Sequence, residues 1–196
     1  MRHSNPAIVL GAEANGLAVA RALGKNKIPV YFLIPPEHKN PYSTSKFAQC
    51  LVCNPFTIDS IISFLKNLDS NLDYVLYPTT DSLVLGLSSH RDEIPPNCHY
   101  RFPSVGTVNT LMDKRLFYQS AITHNFPVPK SSAITTEKHL HKIEKTFQFP
   151  IISKTAVKVY KKGLNKAYLL QTPEEMYQWY RNISSIHADF IIQEYI

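Results

Sequence analysis

Five lysines stand between positions 154 and 166: Lys154, Lys158, Lys161, Lys162 and Lys166, with Gly163 between the last two. Lys154 closes the apolar run "FPIISK" and Lys166 opens "KAYLL". Two strand ends meeting across a glycine-containing loop make a cationic mouth, and ammonium point charges suit phosphate oxygens. A solvated hairpin has the same periodicity, so spacing alone does not separate an anion site from a charged surface. The formal net charge of +6 raises nucleic acid as a partner. The segment disfavours it, because no arginines are interleaved with these lysines and no nucleic-acid motif accompanies them.

A second constellation is the turn Gly11-Ala12-Glu13-Ala14-Asn15-Gly16, between a strand-like "AIVL" and a helix-like "LAVARALGKN". That is the place of a dinucleotide fingerprint, whose middle glycine lets a pyrophosphate approach the backbone. Here the position is Glu13, which adds bulk and like charge, and the second strand "VYFLIPP" ends without an acidic residue. The turn therefore reads as tight packing, and NAD(P)-dependent oxidoreduction is the weaker alternative. Thr79, Thr80 and Asp81 follow "YVLYP" at a helix start, which a helix cap explains. Open α/β sheets nevertheless bind ligands at the carboxyl ends of their strands, which makes Gly11, Asn15 and Asp81 candidate substrate contacts.

Cys50 and Cys53 have pair spacing, but positions three apart on a strand point to opposite faces. Cys98 stands alone, and a helix puts His139 and His141 on different faces. These residues read as structural, with "CLVC" as a core strand, and no metal site is predicted.

The elements that position these groups fall into two sets. Strand-like "PAIVL", "VYFLI", "CLVC" and "YVLYP" alternate with helix-like "LAVARALGKN" and "IDSIISFLKNL". Such alternation implies parallel pairing and right-handed crossovers, so residues 1–105 are expected to form a small doubly wound, Rossmann-like α/β domain. Residues 106–196 are expected to form an α+β unit with an antiparallel sheet and helices on one side. It opens on a helix from Asp113 to about His124, capped by Asp113 and stopped by Asn125 in a left-handed conformation. Next come a helix in "EKHLHKIEKTF", strands "FPIISK", "VKVYKK" and "GLNKAYLL", the helix "PEEMYQWYRNI" with a core face, and "DFIIQEY". With 44% hydrophobic residues the chain is globular, and no apolar run approaches the ~20 residues of a membrane span. An odd count of three cysteines suits a reducing compartment, so a cytoplasmic location is expected.

In order, "MDKRLFYQSAITHNFPVPK", "FPIISK", "KKGLNKAYLLQTPEEM" and "FIIQEYI" resemble the first half of an ATP-grasp ligase. The residues before them resemble the pre-ATP-grasp domain of its carboxylate-amine ligases, such as D-aspartate ligase-like proteins, and more distantly carbamoyl phosphate synthase. The resemblance implies ATP as cofactor, with Lys114 and Lys154 on its phosphates and the Lys162-Gly163 loop and Lys166 covering them. It implies that the adenine is read by the backbone of Glu194 and Ile196, with the Gln193 amide oxygen, at a commonly acidic position, accepting from the adenine amine. The implied reaction is phosphorylation of a small carboxylate or amino-acid substrate and attack by an amine on the acyl phosphate.

Asn125 stands where the family has glycine, Thr155 where proline often follows the strand lysine, and the phosphate loop is poor in glycine. The family's Mg²⁺ ligands and its acyl-phosphate-stabilising arginine belong to a larger subdomain after the hinge, so no catalytic or metal residue is assigned to this chain. The expectation is a nucleotide-binding portion inactive alone, as a homo-oligomer or with a partner supplying the missing half. The alternative is a non-catalytic binding or assembly module.

Overall fold

The computed structural model describes residues 5–37 and 41–196, apart from the side chain of Pro41. The chain is mixed α/β, in two compact units, Met1–Val108 and Asn109–Ile196.

In the first unit, β1 (Ala7–Leu10), β2 (Val30–Ile34), β3 (Gln49–Val52), β4 (Tyr74–Pro78) and β5 (Cys98–His99) form a parallel sheet in the order β3-β2-β1-β4-β5. β1 is buried along its whole length. Its alternate residues serve two cores: Ala7 and Val9 pack with Phe32 and Ala20, and Ile8 and Leu10 with Leu33, Ile61 and Leu87. A strand apolar at every position is what a sheet covered on both faces requires. The covering helices are α1 (Ala14–Lys25) on one face and α2 (Ile58–Lys66) and α3 (Asp81–Ser89) on the other. Thr57 caps α2 by accepting from Ser60 N–H, and Thr80 caps α3 by accepting from Leu83 N–H. Strand order runs outward in both directions from β1 and β4, so the topological switch point lies between the loops that follow those two strands.

α4 (Val105–Met112) carries the chain into the second unit. There α5 (Lys114–Thr123), β6 (Ser131–Ile134), α6 (Lys138–Thr146), β7 (Ile151–Thr155), β8 (Ala167–Leu170), α7 (Pro173–Ile183) and β9 (Phe190–Glu194) follow in order. The four strands form an antiparallel sheet, β6-β9-β7-β8. One face is packed by α6 and α7: Ile134, Ile151, Phe190 and Ile192 meet Leu140, Ile143, Met176 and Trp179. Trp179 stands edge-on to Phe190 at 4.9 Å between ring centroids. α7 starts where its sequence requires it to. Thr172 accepts from Glu175 N–H, Pro173 occupies the first turn, and the Glu175 carboxylate accepts from Gln171 N–H. α5 ends in a Schellman turn: Asn125 takes φ 57°, Asn125 N–H donates to Ile122 and Phe126 N–H to Ala121.

Two sequence readings need correction. "VKVYKK" forms no strand; residues 157–162 belong to the loop joining β7 to β8, with Val157 and Tyr160 exposed. β3 is a largely exposed edge strand, so Cys50 is exposed, and only Cys53, just beyond the strand, is buried. β5, α4 and β6 are additions that the segments around them did not signal.

Candidate nucleotide and substrate sites

β7 alternates cleanly. Ile151, Ser153 and Thr155 are buried beneath the helices, while Ile152 and Lys154 point to the other face. On that face the register sets Leu169 opposite Ile152 and Ala167 opposite Lys154, and both are exposed. The lysine thus stands on a sheet surface that α6 and α7 leave open. Its ammonium donates to Gln193 Oε1 at 2.9 Å. The sequence reading gave that oxygen to an adenine amine; here it accepts from Lys154.

Lys114 reaches the end of the same strand. Its N–H donates to Ala156 O at 2.9 Å and its ammonium to Thr155 O at 3.0 Å. The residue before it fixes this approach. Asp113 caps α5 by accepting from Arg115 N–H at 2.8 Å, and also accepts from Arg115 Nε at 3.1 Å and Nη2 at 2.7 Å. Arg115 Nη1 lies 3.6 Å from Asp189, whose carbonyl accepts from Ala156 N–H. Hydrogen bonding from Arg115 holds the Asp113 carboxyl below its ordinary value, against an opposing push from partial burial. This grip joining α5, β7 and the approach to β9 was missed from sequence; a capping aspartate two residues before an arginine was the only local signal.

Lys162, Gly163 and Lys166 lie exposed in the β7–β8 loop. Gly163 takes φ 82°, where a side chain is strained, and an added Cβ would lie 3.3 Å from Ile186 Cδ1. Lys161 anchors the loop by donating to Ile186 O. Because Ala167 is the partner of Lys154, Lys166 is offset by one residue along the hairpin rather than directly opposite. At the far end of β9, Glu194 N–H donates to Lys130 O, and Glu194 Oε1 accepts from Lys130 N–H, each at 2.9 Å. Ile196 is exposed.

In the first unit, a cavity of about 430 Å³ opens at the carboxyl ends of the parallel strands. Gly11, Thr79 and Thr80 edge it, and Phe56, Ile58, Ile61 and Leu83 give it an apolar wall. The loops after β1 and β4 are stitched together there. Thr79 Oγ1 donates to Leu10 O at 2.6 Å, and Asn15 Nδ2 to Thr79 O at 3.3 Å. Gly16 is required by close packing, since a Cβ would sit 2.3 Å from Gly11 O. Asp81 is exposed in the first turn of α3.

No family model matches the sequence, and no curated protein matches it. Solved structures do. The N5-carboxyaminoimidazole synthetase of Staphylococcus aureus, complexed with ADP, matches with a TM-score of 0.74 at 13% identity, over 100% of this chain and 48% of that one. The chain shares that synthetase's fold throughout. The biotin carboxylase domain of Hydrogenobacter thermophilus 2-oxoglutarate carboxylase, with MgADP and bicarbonate, matches at 0.71 and 14% identity, over 100% and 45%. The Aspergillus clavatus N5-carboxyaminoimidazole synthase, in complex with ADP and 5-aminoimidazole ribonucleotide, matches at 0.69 and 12%, over 100% and 47%. The chain therefore spans about half the length of the synthetases and the carboxylase whose fold it shares.

No group of three or more His, Cys, Asp or Glu side chains among the described residues could hold a metal ion. Among the same residues, no helix is long and apolar enough to cross a membrane.

Proposed function

We propose that this chain is the nucleotide-binding portion of an ATP-dependent carboxylate-amine ligase of ATP-grasp type. The observation that carries the reading is that Lys154 stands on the sheet face that the helices leave open, while the Lys114 ammonium is bonded to the carbonyl of the next residue of β7, Thr155. Lysines from two different elements are thus tied to consecutive residues of one strand, and ammonium groups suit the oxygens of an anionic phosphate chain. Lys162, Gly163 and Lys166 form the loop that covers the phosphates, with the backbone of Glu194 and Ile196 beside the adenine. The stitched cavity bordered by Gly11 receives the small carboxylate or amino-acid substrate, with Asn15, which is bonded to the lining residue Thr79, and Asp81, next in the chain to the lining residue Thr80, as further contacts. When ATP is bound it supplies the phosphoryl group for an acyl phosphate; the chain's own residues hold and orient the nucleotide.

Calorimetric titration with ATP tests the reading. Lys154→Ala and Lys114→Ala are each expected to weaken binding on the order of tenfold or more, the loss of one charge-assisted contact. Unchanged affinity in both variants overturns the assignment. Since the solved relatives extend well beyond the length of this chain, we further propose that it binds nucleotide without completing ligation alone, as a homo-oligomer or beside a partner supplying the remainder. ATP-dependent ligation by the isolated chain refutes that part.

A further inference from the structure

Gln193 lies on β9 between two neighbouring strands and uses both ends of its amide. Opposite it stand Ser131 on β6 and Ile152 on β7, and Lys154 is the diagonal neighbour on the same face. Its Nε2 donates to Ser131 Oγ at 3.0 Å, and its Oε1 accepts from Lys154 at 2.9 Å. Ser131 donates its single proton to Pro129 O at 2.9 Å.

These contacts fix the amide's orientation twice over. A hydroxyl whose proton is committed to a carbonyl can only accept, so Ser131 demands the NH₂ end of Gln193. An ammonium can only donate, so Lys154 demands the oxygen end. Glutamine meets both demands. A glutamate would have no proton for Ser131, and its charge would cancel that of Lys154.

We infer that Gln193 is a positioning residue that sets the charge of the site, holding the Lys154 ammonium with a neutral acceptor so that its full positive charge faces the ligand. The inference rests on reading Lys154 as a phosphate contact. One of the three ammonium protons is spent on Gln193, leaving two for an anion. The role differs from adenine recognition, because it acts on the phosphate end of the nucleotide through Lys154.

The test is titration of the full 196-residue chain with ATP and, separately, with adenosine, across a range of salt concentrations. Gln193→Glu is expected to weaken ATP on the order of tenfold, to flatten the dependence of ATP affinity on salt, and to leave adenosine within about twofold. Gln193→Met keeps the lysine's charge while losing its hold, and is expected to cost ATP only a few-fold. The inference is overturned if Gln193→Glu binds ATP as tightly as the parent, if Met costs as much as Glu, or if ATP and adenosine weaken in parallel. The last result would make Gln193 an adenine reader. A parent chain that binds no ATP removes the nucleotide reading itself, and that null is distinct from any difference between variants. Should Gln193→Glu fail to fold, the Met variant decides alone: a tenfold loss of ATP there refutes the role assigned to charge.

Discussion

The grip on Lys114 can be dismantled in two steps, because Asp113 does two jobs. Its carboxylate caps α5 through Arg115 N–H and pairs with the guanidinium through two further bonds. Asp113→Asn retains a capping oxygen and loses the charge; Asp113→Ala loses both. A lost cap costs about 1 kcal/mol. A fully exposed ion pair is worth ~0.2–1 kcal/mol, and this pair, bidentate and with side-chain exposures of 15% and 34%, belongs near the top of that range. Asn is therefore expected to cost about 1 kcal/mol and Ala about 2 kcal/mol. For a unit of this size, 2 kcal/mol lowers Tm by roughly 8–16 °C. Trp179 is the single tryptophan of the chain and is buried in the same unit, so its fluorescence during urea unfolding reports the loss directly.

The pH dependence has a fixed sign. The folded carboxyl titrates below its ordinary value of 3.8, so its stabilisation is fully present above that pH and is lost as pH falls through the folded value. The stability gap between parent and Asp113→Asn must close as the solution becomes more acidic than pH 3.8. A gap that persists undiminished there, or an Asp113→Ala variant within about 0.5 kcal/mol of the parent, refutes the reasoning.

Two further outcomes can be checked independently. Gly16→Ala forces a Cβ to within 2.3 Å of Gly11 O and is expected to destabilise the first unit by about 3 kcal/mol or more, read as faster thiol labelling of the buried Cys98. Ser153 Oγ is buried with no hydrogen-bond partner among the described residues, so Ser153→Ala should stabilise the second unit by about 1 kcal/mol in urea unfolding, and a loss of stability counts against that account.

How far the sequence could be read depended on what each element packs against. α2 was legible because Ile61, Ile62 and Leu65 recur at helical spacing and all are buried; β1 was legible because a wholly apolar strand has few other uses. α7 announced itself through Thr172, Pro173 and Glu175, and Asn125 through the left-handed position it fills. β6 was invisible because "SSAI" carries no apolar alternation: its strand character comes from pairing with β9, a contact between positions about sixty residues apart. "VKVYKK" misled for the opposite reason, having the composition of a strand and no neighbour to pair with.

The sites divide the same way. The placement of Lys154 near the end of a strand was legible, but its hydrogen-bond partner was not. The resemblance implies Gln193 beside an adenine, and the register of three strands adds that its amide lies between Ser131 and Lys154.

The outer strands of both sheets bear on how the protein behaves in concentrated solution. Among the described residues the sheet edges are β3, β5, β6 and β8, and none exceeds four residues. Edge-to-edge association between molecules needs a run of unpaired peptide groups, and stacked fibrillar zippers draw on segments of six or seven residues. Every edge here is too short to template either, and a net charge of +6 adds long-range repulsion between copies. Colloidal stability in this molecule therefore depends on ionic strength: salt screens the repulsion, while the short edges limit association at any salt concentration.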